Sequence, residues 1–224
     1  LHFRVAGPIV TQLQQVFVDD WAFATGELLG GDPWFAGIEP DGPVLGRGIP
    51  DGPDDDFENH RLTLFGALAS ARSSILVVTP SFLPDAALIT SLFVAAMRGV
   101  AVDIILPQTN NLALVQWAST AQLWELLERG CRVWLSPPPF DHSKLMVLDG
   151  LWSLVGSANW DPRSLRLNFE FNLECYSREL ARSLADLAHS KMQHSRPVTL
   201  ADLDGRSLPV RLRDGVARLL SPYL

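Results

Sequence analysis

Hydrophobic and polar positions divide the chain into stretches of different periodicity. Residues 8–25 carry apolar side chains at helical spacing, with Pro8 suited to a first turn, and predict a helix. From residue 57 onward, apolar runs of strand length alternate with segments of helix length. The pattern predicts helices at 57–72, 85–98 and 112–129 and strands at 75–78, 100–106 and 131–135. Such alternation is typical of right-handed crossovers and indicates a largely parallel sheet.

Residues 30–56 interrupt this regularity. The stretch is dense in glycine, proline and aspartate, and it predicts a long loop with at most a short strand near Val44. A loop of this length inside a compact domain is usually functional or connects two halves of a protein. We therefore expect a connecting segment between the first helix and the regular region that follows.

The periodicity changes again after the prolines at 137–139. Three β-rich runs follow one another directly, and two helical segments close the chain: strands at 142–148, 151–157 and 168–176, then helices at about 178–194 and 207–220. The expected fold is therefore α/β, with a mixed, largely parallel sheet flanked by helices. The chain divides into a helical segment, a connecting loop, an α/β domain and C-terminal helices packing on it: 1–29, 30–56, 57–176 and 177–224.

Composition restricts the class of protein. Hydrophobic residues make up 47% and charged residues 19% of the chain, which is an ordinary globular balance. The net charge of -7 disfavours broad binding to nucleic acid, so a phosphate would need a local basic pocket. Cys131 and Cys175 lie far apart in apolar surroundings and are expected to be reduced core residues. Because no Cys/His cluster has ligand spacing, we expect neither a metal ion nor another cofactor.

The dipeptide Asp149-Gly150 organises the candidate chemistry. Between two β-rich runs it predicts a two-residue hairpin turn, which would place His142 opposite Ser157. Directly opposed side chains lie roughly 5 Å apart at Cβ. Alternation along a strand would also point His142 and Lys144 to the same face. These groups are therefore expected to converge at one end of the hairpin.

The converging groups suit a phosphodiester. Such an anion requires positive charge and hydrogen-bond donors around its non-bridging oxygens. Lys144 supplies the charge, while Ser157 and Asn159 supply neutral donors. The imidazole of His142 can act near pH 7 as a nucleophile or as an acid or base. Alternation in the last strand leaves Glu170 on a polar face, from which its carboxylate could accept the second ring N–H of His142.

Other polar residues have plainer interpretations. The turn fully explains Asp149, although a direct chemical role stays open. Arg163 and Arg166 either bind a phosphate or pair with surface carboxylates. Three histidines on predicted helices are expected at the surface: His60, His189 and His194. The tail at 206–224 mixes arginines with apolar residues; it either lies on an anionic bilayer or, as we prefer, packs on its own domain.

These residues carry a family resemblance. His142-x-Lys144 followed by Asp149 resembles the HxKxxxxD signature of the phospholipase D superfamily, and residues 156–159 resemble its GSxN continuation. Glu170 falls where that family places its supporting glutamate. Three further stretches are similar to the cardiolipin synthase branch: 20–27, 79–84 and 161–170. Ser81 and the Gln122-Leu123 pair depart from the aromatic residues usual there, which affects the lipid pocket rather than the chemistry.

The resemblance implies a metal-free, two-step phosphatidyl transfer on a phospholipase D-like fold. In the family, one histidine takes the phosphatidyl group as a phosphohistidine and another protonates the leaving alcohol. A second alcohol, here phosphatidylglycerol by analogy, then displaces the histidine. The family needs two motifs, from two halves of a chain or from two subunits, and this sequence has one. Its opening at 1–27 resembles the stretch after a first motif, so His142 is expected to be the acid/base of a second half-site.

The implied protein is a cardiolipin synthase at the bacterial cytoplasmic membrane. Its partners would be a phosphatidylglycerol-like phospholipid, the membrane surface and a second half or a homodimer partner, but not nucleic acid. A chain that starts at Leu1 would then be a fragment of a duplicated architecture. Two alternatives stay open: a phosphodiesterase, phospholipase D or nuclease active as a homodimer, and a non-catalytic half that needs a partner half.

Overall fold

A computed structural model describes residues 1–53 and 56–223. Asp54 and Asp55 of the predicted loop and Leu224 of the predicted C-terminal segment lie outside the described residues. The helices are α1 Ile9–Thr25, α2 Asn59–Ser70, α3 Ala86–Met97, α4 Ala113–Glu128, α5 Arg178–Gln193, α6 Leu200–Asp204 and α7 Leu208–Leu219. The strands are β1 Leu45–Asp51, β2 Ser74–Val78, β3 Ala101–Pro107, β4 Arg132–Ser136, β5 Leu145–Leu148, β6 Trp152–Gly156, β7 Glu170–Tyr176 and β8 Arg196–Val198.

The eight strands form a single mixed sheet in the order β1-β7-β6-β5-β2-β3-β4-β8. The mixed α/β architecture is therefore confirmed. The expectation that the sheet is largely parallel is wrong, because among the described strands only β2–β3 and β3–β4 pair in parallel. The βαβ rhythm indicates these two crossovers correctly. The late hairpin and the two edge strands supply the antiparallel remainder.

Strand β1 arises from the stretch predicted as a connecting loop. It pairs along its whole length with β7, so residues 45–51 belong to the sheet rather than to a connector. Its sequence is LGRGIPD, and glycine and proline are tolerated in a strand mainly at an edge. At Gly48 an added Cβ would lie 2.6 Å from the Phe171 ring, so the ring packs over the glycine and would have to move to admit a side chain.

Helices cover both faces of the sheet. The larger core lies on the side of α2, α3 and α4, and α5 packs on the opposite face against β2, β5 and β6. All four residues of β5 are buried, as expected for a central strand covered on both sides. Beyond α5, the short strand β8 adds an edge to β4. The C-terminal part is therefore built into the α/β domain, and β8 and α6 are elements that the periodicity did not predict.

The hairpin between β5 and β6 differs from its prediction by one residue. Leu148 pairs with Trp152, and three residues rather than two connect the strands. Asp149 and Gly150 both adopt positive φ angles, of 52° and 62°, which aspartate and glycine tolerate better than most residues. The expected pairing of His142 with Ser157 is therefore wrong. The strand also starts at Leu145, so His142 precedes it.

None of the helices in the described part of the chain is both long enough and apolar enough to cross a membrane.

Candidate active site

The candidate site lies at one edge of the sheet, where three neighbouring strands begin or end. Lys144 precedes β5, Ser157 follows β6, and Glu170 opens β7. Because β5 and β7 both run antiparallel to β6, the start of β5, the end of β6 and the start of β7 meet at the same edge. The topology therefore brings together residues that the hairpin argument had joined through an incorrect register.

His142 and Lys144 are in direct contact. The Lys144 ammonium nitrogen lies 3.2 Å from Nδ1 and 3.3 Å from Nε2 of His142, and it donates a hydrogen bond to the His142 carbonyl oxygen at 3.0 Å. The imidazole is exposed and the lysine is half-buried. The expectation that these two side chains share a face is confirmed, although both precede the strand.

The surroundings lower the pKa of both groups. Burial lowers the pKa of His142, and the positive charge of Lys144 lowers it further, against the opposing charges of Asp141 and Glu170. Burial also lowers the pKa of Lys144, opposed first by Glu170 and then by Asp161 and Asp141. A lowered pKa favours the unprotonated imidazole, which is the form that accepts a proton or attacks phosphorus.

Glu170 contacts hydroxyl and amide groups rather than the imidazole. Its carboxylate accepts hydrogen bonds from Ser157 Oγ, from Ser164 Oγ at 2.9 Å and from Asn168 Nδ2 at 3.2 Å. No hydrogen bond of the described residues joins Glu170 to His142, so the expected contact is not formed. The carboxylate acts on His142 and Lys144 through its charge.

Ser157 and Asn159 flank the end of β6. Ser157 is exposed, and its Oγ accepts the Phe171 N–H at 3.0 Å while donating to Glu170. Asn159 is half-buried, and its Oδ1 has no hydrogen-bond partner in the part of the chain that the structure describes. Buried amide oxygens are nearly always hydrogen-bonded, so Asn159 retains unused hydrogen-bonding capacity beside the site.

The remaining predicted residues make other contacts. Asp149 is at the far end of β5, where its carboxylate accepts backbone N–H groups of the α2–β2 connection at 2.7–3.0 Å: those of Arg72, Ser73 and Ser74. Arg166 lies 3.7 Å from Glu58. Arg163 is exposed, and its side chain makes no ion pair or hydrogen bond within the described residues. For Arg166 the geometry thus favours pairing with a carboxylate over binding of a phosphate. The contacts of Asp149 connect the hairpin turn to the α2–β2 connection.

A pair of charges holds the segment that carries His142. Asp141 accepts the Ser143 N–H and Oγ–H, and it forms an ion pair with Lys191 on α5. Lys144 and Lys191 are the two lysines of the sequence. One contacts the imidazole, and the other ties the segment just before it to a helix. Sequence reasoning missed Lys191 because its role depends on the packing of α5 behind β5.

A buried polar cluster lies behind the site. His60 is 1% exposed, so its expected place at the surface is wrong, whereas His189 and His194 are exposed. Its Nδ1 lies 3.3 Å from Asn172 Nδ2, and burial lowers the pKa of His60 to about 4. Asn172 Oδ1 in turn accepts the N–H of Ala158, the residue between Ser157 and Asn159.

The cluster continues to the sheet edge at β1. Asp51 is buried and accepts the His60 N–H at 3.2 Å. It lies opposite Glu170 in the register of β1 and β7. Burial is the main reason that the pKa of Asp51 rises to about 6. Gly156 allows β6 and Asn172 on β7 to approach closely, because an added Cβ there would lie 2.3 Å from Asn172 Oδ1.

An open pocket of about 400 Å³ exposes the site. His142, Lys144 and Gly156 line it on one side, and apolar residues of the N-terminal segment and β7 line it on the other, among them Phe3, Leu13 and Phe171. The described residues hold no group of His, Cys, Asp and Glu side chains that could bind a metal ion. The pocket thus combines a cationic rim with apolar walls.

A His-x-Lys pair before one strand and a Ser-x-Asn segment after the next thus lie together on one edge of a mixed sheet. Residues 64–191 match the family described as cardiolipin synthase, PLD-like domain, and the chain belongs to this family. It is 34% identical to cardiolipin synthase 2 of Staphylococcus epidermidis and to the major cardiolipin synthase ClsA of Bacillus subtilis. The whole chain aligns, and it covers 46% and 47% of those proteins, so it spans about half their length.

Solved structures show the same fold. The phospholipase D family member Nuc from Salmonella typhimurium superposes with a TM-score of 0.60 at 19% identity, covering 70% of this chain and 99% of Nuc. Phosphatidylserine synthase from Haemophilus influenzae superposes with a TM-score of 0.66 at 15% identity, covering 84% of this chain and 49% of that protein. Both comparisons agree with the mixed sheet described above.

Proposed function

We propose that this chain supplies one half-site of a phosphatidyltransferase that makes cardiolipin from phosphatidylglycerol. The supporting observation is the contact between Lys144 and His142 at the sheet edge that also carries Ser157 and Glu170. Similarity along the whole of this chain to about half of each cardiolipin synthase supports the choice of substrate. The second half-site would come from another part of the same protein or from a second subunit, and the substrate would be reached at a bacterial membrane.

The proposed reaction has two steps. In the first, a histidine of the other half-site forms a P–N bond to one phosphatidylglycerol, the P–O bond to its glycerol breaks, and His142, in its protonated form, gives the leaving oxygen a proton. In the second, His142 takes the proton of a hydroxyl group on another phosphatidylglycerol, whose oxygen displaces the histidine. Two phosphatidylglycerols thus yield cardiolipin and glycerol, and no metal or redox partner is consumed.

Each remaining group has a role in this scheme. Lys144 balances the charge on the non-bridging phosphate oxygens. It also keeps the pKa of His142 low, so that the protonated imidazole readily gives up its proton and returns to the neutral form. Glu170 holds the Ser157 hydroxyl and opposes the effect of Lys144 on the imidazole. Asn159 offers its amide to the phosphate or to a bound water. Arg163 and Arg166 are not needed at the reacting phosphorus, and Arg163 is free to contact a lipid phosphate near the rim.

Incubation of the complete protein with phosphatidylglycerol in mixed micelles, followed by lipid mass spectrometry, tests the proposal. We expect cardiolipin and glycerol in equal amounts, and a loss of at least about a thousandfold for His142→Ala. His189→Ala, which removes an exposed histidine of α5, is the matched control and should keep full activity. Full activity of His142→Ala would refute the site. Phosphatidic acid in place of cardiolipin would indicate a hydrolase, and no lipid product from a folded protein would indicate a non-catalytic half.

A further inference from the structure

Helix α7 packs on the protein through its less hydrophobic side. Its buried residues are Asp214 and Ala217, each 1% exposed, and it packs against α4. The Asp214 carboxylate is held by Arg206 and Arg213, and Arg218 pairs with Glu125 on α4. A surface helix normally turns its apolar stripe toward the core. The helix does pack on its own domain, as preferred from the sequence, but its orientation is inverted.

The apolar side of α7 faces outward. Leu208, Leu212, Val216 and Leu219 are 67%, 61%, 60% and 78% exposed. At 3.6 residues per turn these four side chains fall within an arc of about 80°. We call them the outer stripe. Leu220 at 43% and Tyr223 at 85% extend the exposed apolar surface to the end of the described chain.

Positive charge borders the outer stripe. On the helical wheel, Arg211 lies on one side of the stripe and Arg213 on the other. Arg211 is exposed and makes no ion pair within the described residues, while Arg213 also lies over the Trp117 ring at 4.1 Å. Residues 206–223 contain four arginines and one acidic residue, in a chain whose net charge is -7. The basic character is therefore local to this helix.

We propose that the outer stripe of α7 docks on a bilayer surface that contains anionic phospholipid. A narrow apolar stripe bordered by arginines suits the interface, where apolar side chains enter the acyl boundary and guanidinium groups stay among the phosphates. A second copy of the chain fits less well, because a symmetric contact between two stripes brings like-charged arginines together. This surface is separate from the pocket at His142, so its docking does not depend on the catalytic proposal.

Vesicle sedimentation of the 224-residue chain tests the proposal. The probe is a set of sucrose-loaded vesicles of phosphatidylcholine with or without phosphatidylglycerol, whose negative surface charge attracts basic segments. We expect binding to the anionic vesicles, weaker binding at high salt, and at least about a tenfold loss of partitioning for Leu212→Gln/Val216→Gln. The matched control Leu62→Gln/Val94→Gln removes two exposed apolar residues of α2 and α3 and should bind like the parent chain.

A labelled residue reports contact directly. Because Cys131 and Cys175 are buried, a Leu219→Cys substitution provides a single accessible thiol for an environment-sensitive dye. The dye should shift to shorter wavelength on anionic vesicles, whereas the same dye at Leu62→Cys should not. No shift at residue 219, or equal binding by the two double variants, overturns the proposal. So does a dimer in sedimentation velocity that Leu212→Gln/Val216→Gln dissociates, because the stripe would then be a protein interface.

Failure of this proposal and failure of the catalytic one are distinguishable. His142→Ala should bind anionic vesicles normally although it abolishes transfer. The outer-stripe variant should keep transfer in detergent micelles, where no bilayer surface is required, and lose it on vesicles.

Discussion

His60 Nδ1 lies 3.3 Å from Asn172 Nδ2, in a buried contact that joins α2 to the strand beginning at Glu170. With the amide donating, the proton of the neutral imidazole resides on Nε2. Asn172 then uses its oxygen to accept the Ala158 N–H. A residue far from His142 in sequence thereby fixes the backbone between Ser157 and Asn159.

The first prediction concerns this contact. His60→Gln keeps an acceptor for the Asn172 amide, whereas His60→Leu leaves that buried amide unpaired. We expect His60→Leu to lose about 2–4 kcal/mol of unfolding free energy and His60→Gln to lose clearly less. In the complete protein, kcat should fall for His60→Leu with little change in KM, and His60→Gln should restore it. Equal stability and activity of the two variants would contradict a positioning role.

The second prediction concerns pH dependence. The folded-state pKa of His60 is lowered from 6.5 to about 4, so its contribution to stability is present above pH 6.5 and is lost as the pH falls toward 4. The folded-state pKa of Asp51 is raised from 3.8 to about 6, so its contribution is present below pH 3.8 and is lost as the pH rises toward 6. Between about pH 4 and 6, the titration of His60 makes stability rise with pH, and the titration of Asp51 makes it fall.

Variants of the two residues separate these slopes. Between pH 4 and 6, the stability of Asp51→Asn should rise with pH more steeply than that of the parent chain. The stability of His60→Gln should fall over the same range. Urea unfolding at half-unit pH steps measures both, and parallel curves for the two variants would rule out the assignment.

The third prediction separates the roles of two carboxylates. Glu170→Gln removes a negative charge that raises the pKa of both His142 and Lys144. The pKa of His142, followed by NMR on the isotopically labelled chain, should therefore fall. Asp149→Asn should leave that pKa unchanged, because Asp149 lies at the other end of β5. A fall of similar size in both variants would show that the whole domain had changed.

Asp149 itself gives a fourth prediction. Its carboxylate accepts three backbone N–H groups and the Ser73 hydroxyl, and these contacts lower its pKa. Asp149→Ala should cost about 1 kcal/mol of unfolding free energy, since four hydrogen bonds are lost but most of their donors are exposed and can bind water instead. Transfer activity per folded molecule should stay within about twofold of the parent protein. A large fall in kcat with unchanged stability would instead assign Asp149 a chemical role.

The fifth prediction tests the Asp141–Lys191 ion pair. Lys191→Met keeps the aliphatic stem on α5 and removes the charge that holds Asp141. We expect about 1 kcal/mol of lost stability, since the pair is only partly buried. A drop of about tenfold in kcat should accompany it, because the segment before His142 loses its anchor. Arg182→Met, an exposed cation on the same helix, is the control and should change neither quantity.

Local patterns predict most of this fold, but long-range contacts decide the site. The helices of the α/β region and strands β2 to β4 follow from periodicity to within about two residues. Strand β1 is predicted only as a short strand near Val44, because its glycines and proline signal a loop, and pairing with β7 extends it to Asp51. The hairpin register is predicted incorrectly for a related reason. Asp149 is held by the α2–β2 connection, and the rules for hairpin turns do not take such a long-range contact into account.

The chemistry follows the same division. His142, Lys144, Ser157 and Glu170 are recognisable because short spacings place them at strand ends that the topology brings together. Which of these side chains are in contact depends on differences of one residue in strand register. Glu170 therefore contacts Ser157 rather than His142. His60 and Lys191 carry no local signal. Their proximity to the site follows from the packing of α2 and α5, which is not encoded in any short stretch of sequence.

The solvent exposure of His142 bears on the choice of acceptor. A phosphoryl group held at this sheet edge, as proposed, would be supported from one side by Lys144 and the strand ends, and its other side would be open. Water would compete there with any alcohol. Selectivity for an alcohol over water is therefore expected to reside in the surface that comes to cover His142, and much less in the strands that present it.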